Sequence, residues 1–141
     1  MKRIIIHPPT LPPPRGFSHG ILVQEAGPLL FLAGQDATDA NGRLAAPGDL
    51  VGQVEQVLRN LKDVTEAAGG TLPDIVKLNI FVRDRADYLA DLKRIGQVFR
   101  RYFGDYYPAI ALFQVTGFFR EDALVEMEGV AVVGSARASG P

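Results

Sequence analysis

Two glutamates one residue apart, Glu126 and Glu128 in "ALVEMEGVAVV" (123–133), are the clearest candidates for chemistry in this 141-residue chain. A strand puts residues i and i+2 on one face, so the two carboxylates share a surface. One of them can then work as a general base, or the two can be no more than a solvated pair. His19, in "GFSHG" (16–20), is a general base or a loop histidine donating to backbone. Arg120, in the turn "FFRED", is a cation that reaches into a cleft or simply stays solvated. There is no cysteine, which removes disulfides, thiolate nucleophiles and cysteine-ligated zinc together. The two histidines, His7 and His19, have no third ligand at metal spacing, so no metal site is expected.

The elements that must position these groups follow from periodicity. "RIII" (3–6) reads as a short strand, ended by a proline-rich loop (8–14) that cannot supply ladder donors and is pinned across the surface. "GILVQEA" (20–26) and "LLFLAGQ" (29–35) are apolar runs separated by Gly27-Pro28, a hairpin signal. A long loop rich in turn residues leads to Asp49, the expected N-cap of a helix. Its apolar stripe is Leu50, Val54, Val57, Leu58, Leu61, Val64 and Ala68, and Gly69-Gly70 ends it. "DIVKLNIFVRD" (74–84) alternates like a strand. Asp87 is the expected cap of a second helix with the stripe Leu89, Leu92, Ile95, Phe99 and Phe103, closing at Gly104. "AIALFQV" (109–115) and 123–133 are the last two strands, and the small residues from 134 to 141 predict a frayed tail.

The order β, β, β, α, β, α, β, β predicts one α+β domain spanning residues 1–141, with a mixed sheet and two helices on one of its faces. Ile110, Leu112, Val130 and Val132 are expected on the opposite face, and a half-covered apolar sheet means an oligomer. The net charge of -1 leaves no basic excess for nucleic acid or an anionic membrane. No apolar run approaches the roughly 18 residues needed to span a bilayer, and "MKRIIIHPP" is too short in its apolar part for a signal peptide. A cytoplasmic location is the expectation.

Four stretches resemble the YjgF/Rid family of reactive-intermediate (imine or enamine) deaminases: "GFSHG" (16–20), "LAGQ" (32–35), "IVKLNIFVRDRADY" (75–88) and "YFGDYYPAIALFQV…DALVEMEGVAV" (102–132). The resemblance implies a chorismate-mutase-like fold assembled as a homotrimeric barrel with three clefts between subunits. It also implies cofactor-free hydrolysis of imines or enamines to oxo compounds and ammonia. Glu126 matches the glutamate that positions or activates water, and backbone donors near Gly34 are expected to hold the substrate.

Several matched positions depart from the family. The arginine that forks onto a substrate carboxylate is replaced by Ile110, and Phe17, Ala33, Ala86 and Leu112 stand where relatives carry polar or small groups. Gln114 matches a glutamate and His19 a glutamine, while Arg120 is a cation that can approach from another direction. The expected site is therefore more apolar than its relatives', with Glu126 titrating above an ordinary carboxylate. The function implied is a hydrolase or deaminase for a C=N compound that is not a simple 2-imino acid. The alternative is a non-catalytic trimer binding or sensing a small apolar metabolite.

Overall fold

The computed structural model describes residues 1–138. Its elements are β1 (Lys2–Ile6), β2 (Gly20–Gln24), β3 (Leu29–Gln35), α1 (Leu50–Ala67), β4 (Ile75–Val82), α2 (Arg85–Ala90), α3 (Leu92–Phe103), β5 (Ala109–Gln114) and β6 (Val125–Val132). A single 3-10 turn, Leu72–Asp74, joins α1 to β4. The main sheet is mixed, in the order β3-β6-β4-β5, with β4 and β5 parallel and the other pairs antiparallel. A parallel pair needs a long crossover, and α2 with α3 supplies it. No helix among the described residues is long and apolar enough to cross a membrane.

One face of this sheet is the core. Leu78, Ile80 and Val82 of β4 and Val125 and Met127 of β6 are buried together with Val54, Val57, Leu58 and Leu61 of α1 and Ile95 and Phe99 of α3. Each such side chain contributes about 1.5–3 kcal/mol by leaving water, so this layer stabilises the domain. Asp49 caps α1 as expected, accepting from the Gly52 amide at 3.1 Å.

Several expectations are corrected. The Gly27-Pro28 hairpin does not form: β2 pairs with β1 across the proline-rich loop, and β3 pairs with β6. Glu25, at φ 52, turns the chain out of β2 and toward the larger sheet. The second helix is capped by Asp84, not Asp87, because the Asp84 carboxylate accepts from the Ala86 and Asp87 amides at 2.8 and 3.2 Å. That helix breaks at Asp91 into α2 and α3, and the break leaves Leu89 and Leu92 of the expected stripe exposed. Ile110 and Leu112 lie on the helix side of the sheet, because their parallel partners in β4 are the buried Leu78 and Ile80. Val132 is buried rather than part of an open face.

The tail does not fray where small residues suggested. Gly134 and Ala136 donate their amides to the Asp74 carboxylate, Ser135 is buried, and the Arg3 amide donates to the Ala138 carbonyl. Residues 139–141 of that expected tail lie outside the described residues.

Candidate functional site

The register across the main sheet puts Glu126 opposite Phe81, and Phe81 opposite Phe113. The two phenylalanine rings stack at 5.7 Å between centroids. This row lies on the face away from the helices, where Phe31 is 73% exposed and Phe113 48%. Glu126 is thus a half-buried carboxylate in an apolar surround. On its other side β3 departs from regular pairing between Leu32 and Gln35, so Ala33 and Gly34 bulge at the edge of the sheet. A Cβ on Gly34 would stand 2.7 Å from Glu126 Oε2, so glycine lets the carboxylate lie against this strand without shifting.

Burial pushes the Glu126 carboxyl above its ordinary value, and the nearby charges of Asp36 and Glu128 push it the same way. The direction is the one expected, but two like charges contribute as well as the apolar walls. Asp36 was missed in the sequence, although it directly follows "LAGQ". Its carboxylate accepts from the Thr38 amide at 3.0 Å and from the Thr38 hydroxyl. Glu128, opposite Asn79 in the register, lies 3.5 Å from the amide nitrogen of that side chain.

The other matched positions gather elsewhere. Ser18 is buried, donating its hydroxyl to Tyr107 O at 2.6 Å and its amide to Pro108 O at 2.9 Å. These bonds pin the end of the proline-rich loop onto the start of β5 and bring Phe17 to Ile110. Phe17, Ile110 and Leu112 line one cavity of about 490 Å³ with Tyr88, Leu92 and Phe99. His19 packs edge-on against Phe17, and its Nε2 is 2.7 Å from Pro12 O. Arg15 and Tyr88 belong to this cavity and were not singled out, because an isolated polar residue leaves no periodic trace.

Two candidates are engaged locally. Gln114 accepts the Arg85 amide at 2.8 Å, beside Ala86 in the first turn of α2. Arg120 donates to Asp122 at 3.2 Å, to the Thr38 hydroxyl at 3.3 Å and to Gly42 O at 3.0 Å, and it does not line the cavity. Glu126 with Gly34, and Ile110 with Phe17, therefore occupy opposite faces of one sheet.

The family model described as endoribonuclease L-PSP matches residues 10–133. The chain is 33% identical over 131 residues to a RutC family protein of Pyrococcus horikoshii, covering 93% of this chain and 98% of that one. It is 35% identical to the 3-aminoacrylate deaminase RutC of Acinetobacter baylyi, covering 94% of this chain and all of that one. Among solved structures, a conserved Rid family protein from Yersinia pestis superposes with a TM-score of 0.83 at 38% identity, over 94% of this chain and all of that one. The fold is the chorismate-mutase-like α+β fold, and the matches support a deaminase-like role at the level of the family. The chain belongs to the YjgF/Rid family.

Proposed function

We propose that this protein is a cofactor-independent hydrolase that deaminates an imine or enamine in a cleft closed by a second copy of itself. The observation that carries the reading is Glu126: a carboxylate held against Gly34, with its proton affinity raised by apolar walls and two like charges. Such a group suits a general base working near neutral pH. In the reaction an enamine first takes a proton from water at its β-carbon to give the iminium, and Glu126 then takes a proton from water as the water oxygen adds to the C=N carbon. The protonated Glu126 then gives that proton to the carbinolamine nitrogen, the C–N bond breaks as the hydroxyl gives up its proton, and a carbonyl compound and ammonia leave. Backbone groups at the β3 bulge hold the substrate in this scheme. The relative named as a 3-aminoacrylate deaminase supports the same class of chemistry.

The geometry of one sheet supports the second copy in this reading. Glu126 and Ile110 project to opposite sides of it, so a substrate that touches both must lie between two protomers. The exposed Phe31 and Phe113 favour the same arrangement, since apolar faces of this kind are covered by self-association. A homotrimer with this face at its core is the expected assembly. Sedimentation at micromolar concentration is expected to give a single trimeric species, and a stable monomer would remove the inter-subunit cleft.

The substrate is not a simple 2-imino acid. Ile110 offers no charge to a carboxylate, and leaving one unpaired against apolar walls costs several kcal/mol. Hydrolysis of the 2-aminoacrylate type of substrate, read by a coupled assay, is expected to run about a hundredfold or more below that of an arginine-bearing relative. Ile110→Arg is expected to recover part of that difference. Equal rates in the unmodified protein would overturn this reading of Ile110. The apolar cavity also favours a second reading, a trimer that binds a metabolite without turnover, and substitution of Glu126 separates the two.

A further inference from the structure

The cavity under α2 and α3 is not uniformly apolar. Its walls are Ile80, Ile95, Phe99, Ile110 and Leu112, but the polar side chains of Arg15, Tyr88 and Tyr107 line it as well. Arg15 is exposed at its rim and makes no hydrogen bond or ion pair with any other described residue. The chain next to Arg15 is anchored. Arg15 stands between Pro14, which fixes its own φ, and Gly16, at φ 75, two residues before the buried Ser18 that pins the loop to Tyr107 and Pro108.

Tyr88 is the second group. Its body is 6% exposed, yet its hydroxyl has no partner among the described residues. Among the described residues no buried side-chain polar atom lacks a hydrogen bond, so the Tyr88 oxygen is the part of the residue left accessible. Burial pushes its pKa up to about 12, which keeps it a neutral donor over the working range of the protein. Arg120, the cation expected to approach this region, is committed to Asp122, Thr38 and Gly42 instead.

We propose that this cavity binds an organic monocarboxylate with an apolar body, whose carboxylate pairs with Arg15 and whose body fills the space around Ile110 and Leu112, with Tyr88 donating to a second acceptor on the ligand. The cavity volume of about 490 Å³ suits a ligand well above the size of a two- or three-carbon acid. As a statement about substrate, the inference rests on the deaminase reading above. It names the class as imines or enamines with a bulky apolar skeleton and a carboxylate remote from the reacting carbon. Binding of a non-reactive acid does not depend on that reading.

The test uses isothermal titration of the full-length protein with 4-phenylbutyrate, its neutral amide, and 4-oxo-4-phenylbutyrate. The acid is expected to bind about tenfold or more tightly than the amide, and Arg15→Gln is expected to bring the acid down to the affinity of the amide. The keto acid is expected to bind several-fold more tightly than phenylbutyrate, a difference that Tyr88→Phe should erase. Equal binding of acid and amide, or acid binding indifferent to Arg15→Gln, overturns the proposal. A keto-acid advantage that is absent, or that survives Tyr88→Phe, removes the role of Tyr88. If the acids fail to bind while an imine is still hydrolysed in a Glu126-dependent way, the inference falls and the deaminase reading stands. If they bind as described and no imine is turned over, the ligand class stands and the hydrolase reading falls.

Discussion

Glu126→Gln is expected to lower imine or enamine turnover by about a hundredfold or more, the usual worth of a positioned general base. Ligand affinity should stay within about threefold. Glutamine keeps the shape that fits against Gly34, where a Cβ would already stand 2.7 Å from the carboxylate oxygen, but it cannot accept a proton from water. The pH dependence gives an independent check. Glu126 binds its proton more tightly in the folded chain than in the unfolded one, since burial, Asp36 and Glu128 all raise its pKa. The stability this lends is full below the ordinary value of 4.5 and is lost as pH rises through the folded value. Removing the charge removes that loss. The glutamine variant should therefore melt higher than the parent at about pH 7 and show no such advantage at about pH 4. Activity of the parent should fall as pH drops through the same raised pKa, because only the ionised form acts as base. Retained turnover with an unchanged melting profile would make Glu126 an ordinary surface glutamate, whereas lost binding would make it a ligand contact.

Periodicity made α1 legible down to its cap, because Asp49 and the stripe from Leu50 to Leu61 are local signals answered by one sheet face. Pairing was not legible in the same way. Gly27-Pro28 has the composition of a hairpin turn, yet β2 finds its partner in β1, and nothing local in either run records that choice. Alternation in 109–115 gave two faces without saying which one meets the helices. The parallel register to Leu78 and Ile80 decides it, and that is a contact between segments about 30 residues apart.

The same limit governed the site. Glu126 and Gly34 were found through resemblance, since "VEME" and "LAGQ" are recognisable as strings. Their separation from Ile110 and Phe17 by the thickness of a sheet could not be read from the strings. Asp36, Arg15 and Tyr88 are single polar residues whose importance lies only in what they lie next to. Small residues at the C-terminus read as loose chain, because the acceptor that holds them is more than 50 positions away.

That acceptor is Asp74, and Asp74→Ala is expected to cost about 3–5 kcal/mol of folding stability. The carboxylate is 2% exposed and accepts three backbone amides: Thr71 at 2.9 Å, Gly134 at 3.1 Å and Ala136 at 2.7 Å. Each amide left unpaired without water costs about 1–3 kcal/mol, and partial solvation of the loosened tail keeps the total below the simple sum. Gly70 testifies to the closeness of the fit, since a Cβ there would stand 2.7 Å from Asp74 Oδ2. Arg3 adds to the cost. It is 5% exposed, donates to Pro73 O at 2.6 Å and lies 3.9 Å from the centre of the Tyr106 ring. Its guanidinium is partly desolvated and feels the Asp74 charge, which the alanine variant would remove. Asp74→Asn, which keeps one acceptor oxygen, should cost about half as much. Urea unfolding should show a lower midpoint with an unchanged slope, and hydrogen exchange should speed up first at the amides of 134 and 136. A loss below about 1 kcal/mol would mean that this carboxylate does not hold the tail. The tail follows directly on β6, the strand that carries Glu126, so loosening it at 134 also tests how much of the order around that carboxylate depends on a knot at the far end of the strand.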